Sequence, residues 1–407
     1  MNKIELLAPA GDLEKLKAAI DYGADAVYFG GEMFSLRAGA GNMTIEEMGE
    51  GVEYCHRQGK KAYLTMNIFA HNEDISELQT YVEKIRDIPF DAFIISDPGV
   101  MMTLKDAFPE AEFHLSTQAN LTNYQTALFW YQQGVRRIVL ARELTFPEIR
   151  EIRDSIPRDM EIEAFVQGAM CISYSGRCLL SNFMIERDAN RGACAHPCRW
   201  KYSLVEEMRP GEYYPVEEDD RGTYIMNSRD LCMLEHIPEL AESGITSFKI
   251  EGRMKSAFYV ATVVSVYRKA LDQYLRDPSG YRFDPAWMKE LKKVSHREFT
   301  TGFYFNKPTN KDQDYSSSAY TREYAFVGVV REYDAEAGIA IVEQRNKMSL
   351  GDVLEVFGPY TDFFEQKLEW MEDQEGNPIE SAPHPQQILR MKMDHPVKPG
   401  FMLRKAK

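Results

Sequence analysis

Eight short runs rich in apolar, β-branched or aromatic residues recur through the first 275 residues, separated by segments with a helical period. The runs are Ile4–Ala8, Ala26–Phe29, Ala62–Met66, Ala92–Ser96, Phe113–Thr117, Ile138–Ala141, Ile162–Val166 and Ser247–Ile250. Four or five residues is the length of a buried parallel strand. Leu13–Tyr22, Ile75–Ile88, Tyr124–Gln133 and Phe146–Ile156 carry apolar residues three and four apart, as helices with one buried face do. Gly23, Gly134 and Gly244 each end such a segment just before a strand, where a glycine cap is expected. Eight strand–helix units without strand-only hairpins predict a (β/α)8 barrel of the TIM-barrel type. The competing reading is a doubly wound open sheet. That fold usually has a glycine-rich phosphate loop after strand one, and here only Ala8-Pro9-Ala10-Gly11-Asp12 stands there.

The rhythm sets the domain organisation at 1–276 for the barrel, 277–315 for a connector and 316–407 for a small antiparallel β domain. The last is read from the strand-like Ala325–Glu332, Ile339–Glu343 and Val353–Phe357, with turn residues between them and Pro383, Pro385, Pro396 and Pro399 beyond. The one break lies between strands seven and eight, where residues 168–223 form an insertion. Barrel active sites lie at the C-terminal ends of the strands, so an insertion starting there is expected over the mouth. Acidic Glu206–Asp220 reads as an exposed loop, and Tyr224–Asn227 as a short returning strand.

Five of the six cysteines fall between strands seven and eight, at Cys171, Cys178, Cys194, Cys198 and Cys232. No run of about 18 apolar residues exists to span a membrane, and the first residues read as a strand, not a secretory leader. The expected compartment is the cytoplasm, where clustered thiols bind metal or do redox chemistry more often than they form disulfides. Thiolates are soft ligands that suit Zn2+ or an iron–sulfur cluster, and the spacing leaves both open. His196, between Cys194 and Cys198, is an alternative nitrogen ligand. Cys55, on a helical face, reads as a bystander. A thiol nucleophile is the rival use, with His114, His196, His236 and His296 as candidate bases. Four crowded cysteines exceed what one nucleophile requires, and the chain has neither H-E-x-x-H nor G-x-S-x-G.

The run Glu163-Ala164-Phe165-Val166-Gln167-Gly168-Ala169-Met170-Cys171-Ile172-Ser173-Tyr174-Ser175-Gly176-Arg177-Cys178 closely resembles the signature of the collagenase-like peptidase family U-thirty-two. Leu7–Gly11, Gly23–Tyr28, Ser96–Gly99 and Lys249–Arg253 extend the likeness over roughly the first 270 residues. It is nearest to the branch of prephenate-dependent tRNA hydroxylation proteins. The resemblance implies a barrel-type catalytic domain with a [4Fe–4S] cluster, and prephenate as co-substrate in converting the tRNA wobble uridine to 5-hydroxyuridine. It also implies tRNA and a related subunit as partners. Cys171, Cys178 and Cys194 match the cluster motif, with Cys232 favoured over Cys198 as the fourth ligand. The alternatives are a thiol- or metal-dependent peptidase and a non-catalytic RNA-binding scaffold with structural metal.

Polar residues at strand ends supply the remaining candidates: Asn67, Asp97, Gln118, Arg142, Glu143, Gln167, Glu251 and Arg253. Arg142, Glu251 and Arg253 are read as catalytic, and Arg37, Asn67, Gln118, Gln167 and Arg177 as substrate-binding. Arg37, Arg142 and Arg253 suit a dicarboxylate, because a guanidinium pairs with a carboxylate through two hydrogen bonds. The chain is acidic, with a net charge of −15, which excludes a surface that coats nucleic acid generally but not a local basic patch. Arg177, Arg187, Arg191, Arg199 and Lys201 outnumber Glu186 and Asp188 in the insertion. Tyr174, Phe183, Trp200 and Tyr202 are interleaved there as stacking surfaces for unpaired anticodon bases.

Overall fold

Parallel pairing closes eight strands into a barrel in the computed structural model, which describes residues 4–36, 42–171, 173–200, 218–219, 222–223, 229–306 and 320–407. The strands are β1 (Glu5–Pro9), β2 (Ala26–Phe29), β3 (Lys61–Met66), β4 (Ala92–Ile95), β5 (Glu112–Leu115), β6 (Arg137–Val139), β7 (Glu161–Ala169) and β8 (Ser247–Ile250). Each pairs with the next, and β8 pairs with both β7 and β1, so no edge remains. Closure buries both faces, which is why the strands read as continuous apolar runs without alternation. Gly23, Gly134 and Gly244 take φ of +113°, +95° and +88°, the left-handed caps expected of them.

Helices α1 (Leu13–Asp21), α2 (Ile45–Arg57), α3 (Asn72–Ile85), α4 (Pro98–Ala107), α5 (Tyr124–Gln132) and α6 (Phe146–Ser155) follow the first six strands. Their starts are fixed by side-chain caps: Asp12 accepts from the amide of Lys15, and Thr44 and Glu47 form a reciprocal capping box. After β7 the chain makes a short helix, α7 (Leu180–Ile185), and returns through Asp230–Cys232, which lies antiparallel to β7 with Cys232 opposite Gln167. A helix α8 (Ile237–Glu242) leads to β8, and α9 (Ala257–Arg276) follows it. Tyr224–Asn227 and most of Glu206–Asp220 lie outside the described residues. Glu218–Asp219 pairs with Gly222–Thr223 in a small hairpin.

Fourteen of the twenty residues of α9 are buried. A helix apolar nearly all round must be covered on two sides. Here the barrel covers one side and the C-terminal domain the other, where Phe258 stacks on Phe326 at an interplanar angle of 7°. Segment 277–315, read as a connector, contributes a further helix, α10 (Pro285–Leu291), and Tyr281, Leu291, Val294 and Tyr304 to the barrel core among its described residues.

The C-terminal domain is a seven-stranded antiparallel sheet in the order Phe364–Lys367, Val353–Phe357, Met402–Ala406, Tyr324–Asp334, Ile339–Gln344, Ile388–Lys392, Met371–Glu372. Register shifts at Phe326/Gly328 and Val330/Glu332 curl its longest strand around a separate core of Val327, Val342, Leu354, Val356, Leu389 and Leu403. It is tied to α10 by Arg404, fully buried, whose Nη1 pairs with Glu290 (2.5 Å) while its Nε donates to Glu355 of the same sheet (2.6 Å).

Candidate functional site

A cavity of about 750 Å3 opens at the C-terminal ends of β5, β6, β7 and β8, lined there by Gln118, Arg142, Ala169 and Glu251. Cys171, Cys178, Cys194 and Cys198 all line it, from the insertion. The insertion is pinned over the mouth by Arg191, whose guanidinium donates to both oxygens of Asp74 on α3 (2.8 and 3.0 Å), and by the amide of Phe69 donating to Asn190 O (3.2 Å). The loop carrying Cys178 turns at Gly176, φ +72°, where a Cβ would lie 2.5 Å from Gln118 O. Gly176→Ala is therefore expected to lift this loop off β5, at about 1–3 kcal/mol of strain. Limited trypsin digestion should then cut faster after the exposed Arg177 and Arg187; an unchanged cleavage rate would refute the close approach.

The thiols line one cavity without converging: among the described residues, no three His, Cys, Asp or Glu side chains are gathered tightly enough to hold a metal ion. The amide of His196 donates to Cys194 Sγ (3.4 Å), and His196 itself lines the cavity. Cys232 is set apart. It is 7% exposed in the strand Asp230–Cys232 and does not line the cavity, and burial pushes its thiol up to about 12. Burial does the same to Cys55, also to about 12. As a donor set the four cavity cysteines suit a soft metal or an iron–sulfur cluster, since four thiols can supply every ligand.

Three of the strand-end candidates meet at the cavity. Arg142 donates from Nη1 to Ala169 O (2.7 Å) and lies over the Phe165 ring (4.4 Å to its centroid), while its Nε has no hydrogen-bond partner among the described residues. Gln118 Oε1 is likewise buried and unpartnered among them. Glu251 shares the cavity, its amide held by Gln167 O (2.8 Å). Beside Arg142, burial pushes the carboxyl of Glu143 up against the opposing charge of the guanidinium.

The others lie outside it. Arg253 is buried and donates to Ser35 Oγ (2.8 Å), Thr65 Oγ1 (3.1 Å) and Asn42 Oδ1 (3.1 Å), bracing the tops of β2 and β3. Gln167 accepts from Tyr267 (3.1 Å), and Asn67 donates to Ser116 Oγ (3.0 Å). Asp97 caps α4 through the amides of Gly99 and Val100. Arg177 is exposed and is not among the lining residues. Arg37, Lys201 and Tyr202 lie outside the described residues, as does the side chain of Arg199. Of the candidate bases, His114 is fully buried in the barrel against Tyr63, and burial, with Arg137 adding to it, holds its ring well below the usual range. His236 packs on Phe305 and His296 on Phe299. Sequence reasoning missed a second group of lining residues, Lys255, Ser295, Arg297, Tyr320, Arg322 and Asn346. Its only sequence mark is the alternation Tyr320-Thr321-Arg322-Glu323-Tyr324.

Fold and site together define a TIM-barrel protein whose mouth is roofed by a thiol-bearing insertion and flanked by a C-terminal β domain. Residues 11–314 match the profile of Peptidase family U32 and residues 322–404 that of the Peptidase family U32 C-terminal domain, so the chain belongs to this family. It is 45% identical over 406 residues to tRNA hydroxylation protein P1 of Bacillus subtilis, covering 100% of this chain and 96% of that protein. It is 39% identical over 430 residues to tRNA hydroxylation protein P of Escherichia coli, covering 94% and 92%. A protein named collagenase from Porphyromonas gingivalis is 35% identical over 380 residues, covering 91% and 90%. No helix among the described residues is long and apolar enough to cross a membrane.

Proposed function

We propose that this chain is a tRNA-modifying enzyme that converts a wobble uridine to 5-hydroxyuridine, with prephenate as co-substrate and a [4Fe–4S] cluster on Cys171, Cys178, Cys194 and Cys198. The observation that carries the reading is the set of four thiols lining the cavity over β5–β8. The tRNA substrate class rests on the relatives at 45% and 39% identity that carry that activity in their names. Replacing the uracil C5–H by C5–OH is a two-electron oxidation, so the oxygen atom and the acceptor for both electrons would have to come from the co-substrate prephenate, since the acid, amide and guanidinium groups of the cavity supply neither. A bound iron–sulfur cluster would supply redox chemistry there. Cys198 is preferred to Cys232 as fourth ligand because ligation needs a thiolate at the cavity, and Cys232 is buried as a thiol elsewhere.

The side chains have separable tasks in this reading. Arg142, held by Ala169 O, presents a fixed cation to a carboxylate of prephenate. Gln118 Oε1 is an acceptor placed for the uracil imide N–H. Glu251, on the same cavity, is the carboxylate able to receive the proton released from C5. Mass spectrometry of tRNA nucleosides tests the whole. In a deletion strain without a paralogue, 5-hydroxyuridine derivatives are expected to disappear, to return with the wild-type chain and to stay absent with Cys178→Ser. Unaltered nucleosides in the deletion strain would remove the function.

A further inference from the structure

The lining of the cavity has a charge opposite to that of the protein, and most of its cations form one group around Tyr320 and the C-terminal domain. Five cationic side chains line the cavity (Arg142, Lys255, Arg297, Arg322 and Lys407) against one side-chain carboxylate, Glu251, although the chain carries a net −15. Four of the five stand on segments beyond β8, and Arg322 and Lys407 belong to the C-terminal domain. Lys255 Nζ sits 3.6 Å and the Arg297 guanidinium 4.1 Å from the centroid of the Tyr320 ring. Lys255 also donates to Ser295 O (3.2 Å). A ring and a carbonyl fix an ammonium group without cancelling its charge, which a carboxylate would do. Arg297 is 4% exposed and paired to Asp230 (3.4 Å), yet its Nε has no hydrogen-bond partner among the described residues. Arg322 is exposed and makes no ion pair among them.

We infer that this group is a subsite for the backbone phosphates of the RNA strand beside the modified nucleotide, built jointly by the barrel and the C-terminal domain. The inference rests on the RNA reading above and adds where the strand is held. Fixed cations interleaved with aromatic rings are how proteins track a single strand without reading its sequence; Lys255 and Arg322 have no carboxylate partner among the described residues, whereas Arg297 is neutralised by Asp230. A cavity of about 750 Å3, lined by this group and the thiols, also has room for more than one nucleotide unit.

Fluorescence anisotropy with a labelled synthetic anticodon stem-loop, on the full chain over a series of salt concentrations, tests it. Lys255→Gln and Arg322→Glu are each expected to weaken binding by about tenfold and to lower the slope of log Kd against log salt by about one for each cation removed. Arg322 is exposed, so its variant should melt as the wild type does. Arg57→Glu, on α2 away from the cavity, should bind as the wild type does. Wild-type binding with unchanged variants would overturn the subsite and leave the RNA reading standing. No binding by the wild type at low salt would overturn both. Variants that bind RNA normally but lose the thermal shift given by added prephenate would make this group a co-substrate site and overturn the inference.

Discussion

Serine at any one of Cys171, Cys178, Cys194 or Cys198 is expected to leave the anaerobically purified protein colourless, whereas Cys55→Ser and Cys232→Ser should stay brown. The alcohol is a harder ligand than the thiolate and does not deprotonate near neutral pH, so one substitution removes a ligand outright. The four cysteines line one cavity, while Cys232 and Cys55 are buried with thiols pushed up to about 12. The readouts are the broad sulfur-to-iron absorbance at about 400 nm and the iron and sulfide content per chain. The effect is near all-or-none, and 5-hydroxyuridine should fall with the iron. A colourless wild type holding stoichiometric zinc would refute the cluster. A bleached Cys232→Ser beside a brown Cys198→Ser would refute the ligand set.

The barrel was legible because closure makes its strands simple. With both faces buried, eight apolar runs needed no knowledge of register, and positive-φ glycines at 23, 134 and 244 marked the junctions. β7 runs to Ala169, past the Val166 that ended its apolar run, because Gly168 and Ala169 pair with Leu231 and Asp230 of the returning strand. Chain spacing located the cysteines but not the directions of their side chains. Cys198 and Cys232 are 34 positions apart in the chain, and only tertiary packing sends one to the cavity and the other into the barrel wall. The cationic group was illegible for the same reason. Tyr320 and Arg322 reach the cavity because Phe326 docks on Phe258, a contact with no local pattern. Arg253 illustrates the reverse error of emphasis. A guanidinium at a strand end suggested a dicarboxylate, and the structure gives it to Ser35, Thr65 and Asn42, under a Gly30 whose Cβ would lie 2.5 Å from Arg253 Nη2.

Arg137→Met is expected to cost about 3–5 kcal/mol at pH 7, because it removes one partner from a charge network sealed inside the barrel. Arg137, 3% exposed, donates to Glu5 Oε1 (2.5 Å), Glu161 Oε2 (2.7 Å) and Glu163 Oε2 (3.2 Å). Glu163 keeps Lys249 at 2.6 Å and Glu161 is half exposed, so Glu5 is the carboxylate left without a cation. Burial pushes the carboxyl of Glu5 up, but the charge of Arg137 and hydrogen bonds from Arg137, Tyr63 and Ser247 outweigh it and hold it below the ordinary value. A depressed folded-state value stabilises above the unfolded carboxylate range, near pH 4.3, and that stability is lost as pH falls through the folded value. Without Arg137 the burial effect prevails and the sign reverses, so acid should relieve the variant while it weakens the wild type. The gap between their urea midpoints is therefore expected to narrow from pH 7 towards pH 4, and Glu5→Gln should recover part of the loss in the Arg137→Met background but not in the wild type. A gap constant across that range would show that Arg137 acts by filling volume and not by its charge.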